Sequence, residues 1–142
     1  MNSLPNLASI VASFVLIFFL NYLFYGVLAA EFFETHMGSA SGVMKEEVNM
    51  IFIFFGTLVQ AATLTLLYAR WSQGVHEISG GFQFGALVGL FAGFGMMLVM
   101  YGTSNIYDLA ALIVDGLWYA VLYGVCGAAI AVVMKRVGAK ST

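Results

Sequence analysis

The sequence predicts an all-α integral membrane protein, a bundle of four antiparallel helices running up-down-up-down. Three observations lead there. Hydrophobic residues make up 62% of the chain and charged residues only 8%, whereas soluble domains carry about a quarter charged residues. A soluble fold of this size has too little polar surface to hide so much apolar area. Four apolar stretches each reach the ~20 residues that a helix needs to cross the hydrocarbon core of a bilayer. The breaks between them are short, which sends each helix back alongside its predecessor.

The first helix is predicted over 7–33. Its apolar run from Leu7 to Ala30 is longer than the ~7–15 residues of a signal-peptide core, and no positive segment precedes it. A retained span is therefore expected. The stretch 34–47, "ETHMGSASGVMKEE", separates it from the second helix, 48–69, with Gly38 and Gly42 as stops. Glu46 and Glu47 place negative charge where the next helix begins, complementing its dipole. "RWSQGVHEISGG" (70–81) leads to the third helix, 82–101, and "GTSN" (102–105) to the fourth, 107–134. Residues 1–142 read as one transmembrane domain with no linker and no repeat.

Lysine and arginine mark the cytoplasmic side of a membrane protein. Arg70 lies in the second break, and Lys135, Arg136 and Lys140 follow the fourth helix; Lys45 alone lies on the other side, among Glu31, Glu34, Glu46 and Glu47. Both termini and the second break are expected in the cytoplasm of a bacterial inner membrane. Trp71 fits an interfacial anchor.

Small residues are expected to hold the helices together. Gly81, Gly85, Gly89 and Gly93 recur every four residues on the third helix, and Gly116, Ala120, Gly124 and Ala128 do so on the fourth. In lipid, association rests on close backbone packing, which such rows permit. The two rows could form a hairpin, or the first could meet another copy or another subunit.

Each remaining span carries polar residues at helical spacing. These are Ser9, Ser13, Asn21 and Tyr25 on the first; Asn49, Gly56, Gln60 and Thr63 on the second; and Asp108, Asp115, Tyr119 and Cys126 on the fourth. Polar faces avoid lipid, so these stripes are expected to converge inside the bundle or line a small wet cavity.

Asp115 is the most demanding of them. Asp108 to Lys135 spans 27 residues, ~40 Å of helix. A ~30 Å core centred between them puts Asp115 inside it, toward the outer leaflet. A charge there costs a few kcal/mol, and no lysine or arginine lies within a span to pair with it. Asp115 is expected either protonated or bonded to Gln60, Asn21, Tyr119 or water. It then serves as a protonatable or ligand-contact residue, or simply pins the helices. A core centred lower would place it at the interface instead.

Much chemistry is excluded. One cysteine, Cys126, allows no intrachain disulfide, CxxC redox motif or zinc motif. Net charge is −2 with no basic cluster, so nucleic acid is not an expected partner. His36 and His76 fall in different breaks, on opposite sides, and cannot share a haem. Glu31, Glu34 and His36 are the only weak metal candidates. No catalytic residue and no cofactor is expected.

The segments "YGVLAAEFFETHMG" (25–38), "GGFQFGALVGLFAGFG" (80–95) and "ALIVDGLWYAVLYGVCGAAIAVV" (111–133) resemble those of short bacterial four-span membrane proteins of unknown function. That resemblance implies a small inner-membrane bundle and transfers no catalytic residue. The function expected is a non-catalytic accessory or structural subunit of a larger membrane assembly, joined to a membrane partner or to itself through the glycine rows. The alternative is a small dimeric transporter or ligand carrier that uses Asp115. A membrane enzyme acting on a lipid or quinone-like substrate comes third.

Overall fold

The computed structural model describes residues 3–139, so Lys140 and the last residues of the tail lie outside the described part. The described chain is all-helical; its one piece of extended pairing is an isolated bridge between Met37 and Tyr107. Four helices are long and apolar enough to cross a membrane, over Leu4–Leu28, Met50–Trp71, Ile78–Thr103 and Leu109–Gly138.

The first span is α1 (Ser3–Leu23) continued by a π-helical turn, Phe24–Leu28. Pro5 is tolerated because first-turn N–H groups have no partner inside a helix. The π turn closes with the Ala29 N–H on the Phe24 carbonyl, five residues back, at 2.7 Å. Ala29 then leaves helical geometry, and α2 (Ala30–Thr35) is a separate short helix. The single helix expected to 33 thus ends at the π turn. The second span, α3 (Met50–Trp71), starts at Asn49, whose side chain accepts the Phe52 N–H at 3.4 Å. A tight turn with positive φ at Gln73 and Gly74 leads to α4 (Ile78–Gly89), a second π turn (Leu90–Gly95) and α5 (Met96–Thr103). The last helix, α6 (Leu109–Gly138), is capped by Asp108, whose carboxylate accepts the Ala111 N–H at 2.9 Å. Cap residues favour this role because their side chains satisfy orphan N–H groups. That assigns Asp108 a structural task, separate from Asp115.

The helices do not share contact equally. Of the apolar window of α6, 44% is buried, against 17% for α1 and 22% each for the other two spans. α4 and α1 both pack on α6 and not on each other, while α3 packs chiefly on α1. Chain neighbours α3 and α4 scarcely touch, meeting near their turn where Phe84 lies 5.5 Å from Tyr68 and 5.2 Å from Trp71. The cause is visible in the faces. α4 has one narrow small-residue face, and α6 occupies it; α3 buries Thr57, Ala61, Leu64, Thr65 and Tyr68. The apolar core runs through Ile17, Ala61, Leu64, Tyr68, Leu122, Cys126 and Ile130.

The opposite end of the molecule is tied by backbone. Gly38 N–H donates to Ile106 at 2.8 Å, Ala40 to Asn105 at 3.0 Å, and Asp108 to His36 at 3.1 Å. Gly38 sits so close to Asn105 that a Cβ would overlap its carbonyl. The residue therefore clamps two loops together instead of merely stopping a helix.

Candidate functional site

Two features of α6 carry the candidate site: a surface without side-chain bulk and, on the residue directly before its Gly116, a buried carboxyl. On the first, Gly81 meets Gly127 and Ala131, Gly85 meets Tyr123 and Gly124, Gly89 meets Tyr119 and Ala120, and Gly93 meets Tyr119; Gly116 in turn meets Phe94 and Gly124 meets Phe82. Numbers rise along α4 as they fall along α6. At Gly89 an added Cβ would stand 2.6 Å from the Ala120 Cα.

The α6 row differs from the expected one at its end: Ala128 is half-buried and Gly127 takes the place against Gly81. Each four-residue step overshoots a full turn by about 40°. After two such steps from Gly116 a three-residue step is needed to stay on the same face, which selects Gly127. On the α4 side the π turn does the correcting. Its i to i+5 bonds take more residues per revolution, and Gly93 stays against α6.

Asp115 is only 6% exposed. Its Oδ1 accepts a hydrogen bond from the Tyr25 hydroxyl. Tyr25 lies in the first π turn and Tyr119 lies against Gly93 of the second, so both irregular turns flank this part of α6. The Tyr119 hydroxyl neighbours that of Tyr25, and its ring stacks on Tyr123 at 5.9 Å. Tyr107, in the loop before α6, completes the group: burial pushes its phenol up first, and the nearby Asp115 carboxylate adds to that shift.

Of the partners expected for Asp115, Asn21 is nearby but occupied: its Oδ1 accepts the Trp118 indole N–H at 3.0 Å. Trp118 stacks face to face on Phe24, centroids 4.0 Å apart and planes 6° from parallel. Gln60 is exposed, as are Asn49, Gly56 and Thr63. Thr63 bonds back to the carbonyls of Val59 at 2.7 Å and Gln60 at 3.2 Å. The expected inward stripe of α3 is therefore wrong by one residue. Gly56, Gln60 and Thr63 each directly precede a buried residue, Thr57, Ala61 and Leu64, and one residue is ~100° of helix rotation. Asp115 and Tyr25 pair, Tyr119 joins them, and Gln60 does not.

The Glu31, Glu34 and His36 set does not converge. Both glutamates are exposed, while His36 stacks on Phe32 at 4.2 Å with Nδ1 2.9 Å from the Phe32 carbonyl. Among the described residues no three His, Cys, Asp or Glu side chains gather as a metal site. Cys126 is fully buried in the apolar core.

Sequence reasoning missed Tyr107 and Trp118 as neighbours of the polar row. No spacing rule links a loop tyrosine to a helix aspartate, and Trp118 falls outside the polar row of its own helix.

Four helices long and apolar enough to cross a bilayer give the chain the make-up of a multi-pass membrane protein. No family model, curated protein or solved structure matches it.

Proposed function

We propose that the chain is a non-catalytic subunit of a larger membrane assembly and that it docks through α3. The observation that carries this reading is Gln60. It lies ten residues into a 22-residue span and is exposed. Acyl chains offer a carboxamide no hydrogen-bond partner, so polar groups inside membranes turn toward other helices. Within this chain α3 turns that face away from every neighbour. Gly56, one turn away, has open space at its Cβ position. A helix of a second membrane protein, or of another copy, would lie in that shallow groove and take up the amide.

The finer topology belongs to the same reading. An antiparallel up-down bundle in a bacterial inner membrane would put both chain ends, Arg70, Lys135 and Arg136 on the cytoplasmic side. The resemblance to short bacterial four-span proteins fits that setting.

Purification in mild detergent tests the proposal. The parent chain should bring down a defined partner at fixed stoichiometry, and Gln60→Leu should lose most of it while keeping its own helix content. A parent that runs as a lone monomer would end the proposal.

One observation favours a carrier instead: a carboxyl and three tyrosines gathered beside two π turns, irregularities frequent at functional sites. In that case Asp115→Asn should abolish pH-dependent uptake or ligand binding in vesicles. Unchanged pH dependence would remove this second reading.

A further inference from the structure

The half of the bundle away from Asp115 contains polar atoms that the assembly reading leaves unused. Ser9 and Ser13 of α1 and Thr65 and Tyr68 of α3 are fully buried, and Ser72 nearly so. None of their hydroxyls has a hydrogen-bond partner, and neither has His76 Nδ1, also buried. Serines and threonines in spans ordinarily bond back to their own helix, as Thr63 does here. Buried polar groups without protein partners are the places where proteins hold internal water.

Of these residues, His76 borders an opening at the surface. A cavity of about 260 Å³ is walled by Pro5, Asn6, Ala69, His76, Met134 and Gly138. Water occupies ~30 Å³ per molecule, so several fit. A wider hollow, sharing His76 and Met134, brings Glu77 and Lys135 to its rim. His76 lies 5.8 Å from the Tyr68 ring, and burial pushes its imidazole down from the usual range.

Depth follows from the helix rise of ~1.5 Å per residue. From the cavity wall at Pro5 and Ala69, Ser9 and Thr65 both lie ~6 Å in, Ser13 ~12 Å and Ile17 ~18 Å. The hydroxyls thus form a descending column, and fully buried Ile17 interrupts it. Beyond Ile17 the same α1 row resumes with Asn21 and Tyr25.

We propose that this half of the bundle is an aqueous inlet, a site for water and the protons it relays, entered past His76, lined by Tyr68, Ser72, Thr65, Ser9 and Ser13, and closed at Ile17. It stands on the orphaned hydroxyls and the cavity, independently of what docks on α3.

Cysteine access tests it. Cys126 lies eight residues along α6 from Met134 in the cavity wall, ~12 Å in, at the depth of Ser13 but within the apolar core. In proteoliposomes treated with a small water-soluble methanethiosulfonate, Ser13→Cys on a Cys126→Ala background should react roughly tenfold or more faster than Cys126 of the parent. Adding His76→Trp should slow it. The serine-to-cysteine change is nearly isosteric, and retained helix content by circular dichroism verifies the fold. Equal rates for Ser13→Cys and Cys126 would overturn the inlet, and a rate indifferent to His76→Trp would overturn the route past His76.

Discussion

Replacing Gly85 with leucine should stop α4 and α6 from closing, at a cost of ~3 kcal/mol or more. The expected result is loss of the folded species in detergent, read as a collapse of the midpoint in a denaturant titration followed by circular dichroism. The magnitude follows from what the new side chain would strike. A Cβ at Gly85 falls on the carbonyl of Tyr123 and stands 2.6 Å from that residue's carbonyl carbon. Backbone cannot rotate out of the way as a side chain can, so the two helices must separate, and the neighbouring approaches at Gly81 and Gly89 separate with them. Gly56→Leu is the matched control. Nothing lies within 4 Å of its Cβ position, and leucine is the better helix former by somewhat under 1 kcal/mol. The isolated chain should therefore fold as well as the parent. Equal stability for Gly85→Leu and Gly56→Leu would show that the glycine row is not a packing surface.

Tyr25→Phe should have the next largest effect, a loss of ~0.6–1.7 kcal/mol. Removing the hydroxyl leaves the Asp115 carboxyl buried without its donor, and stranding a buried acceptor costs about 1–3 kcal/mol. Membrane-helix hydrogen bonds fall at the lower end of such ranges, averaging ~0.6 kcal/mol with a ceiling near 1.7, which sets the estimate. Asp115→Asn keeps an acceptor oxygen and should cost less. A double-mutant cycle separates the pair from its surroundings: a coupling above ~0.5 kcal/mol marks a real interaction, and strict additivity would mean the contact does nothing for stability.

Much of the architecture could be read from the chain because membrane spans are written in length and apolarity, which need no knowledge of neighbours. The glycines of α4 could be read for the same reason, since only close backbone approach explains so many in one helix. The details that failed are those in which a helix departs from its ideal period. The π turn at Phe24–Leu28 has no residue signature that distinguishes it from continued α-helix, yet it sets where Tyr25 points. Gln60 shows the other limit. Its spacing with Gly56 and Thr63 correctly placed the three on one side of α3, but periodicity does not say which side a neighbour covers. The expectation that polar residues face inward assumed that this chain supplies all the neighbours. Tyr107 and Trp118 show a third limit, since a residue that meets Asp115 from a loop or an adjacent position on α6 follows no repeat.

The hub position of α6 has a consequence for biogenesis. α1 and α4 both pack on this helix and not on each other, and α6 follows both of them in the sequence. Until it enters the bilayer, the notched side of α4 has nothing to close on, and Tyr25 has no carboxyl to meet. α1 and α3 have a partner in each other from the start, whereas α4 gains its own only when α6 arrives, so the insertion of α6 is the step that joins α4 to the rest of the bundle.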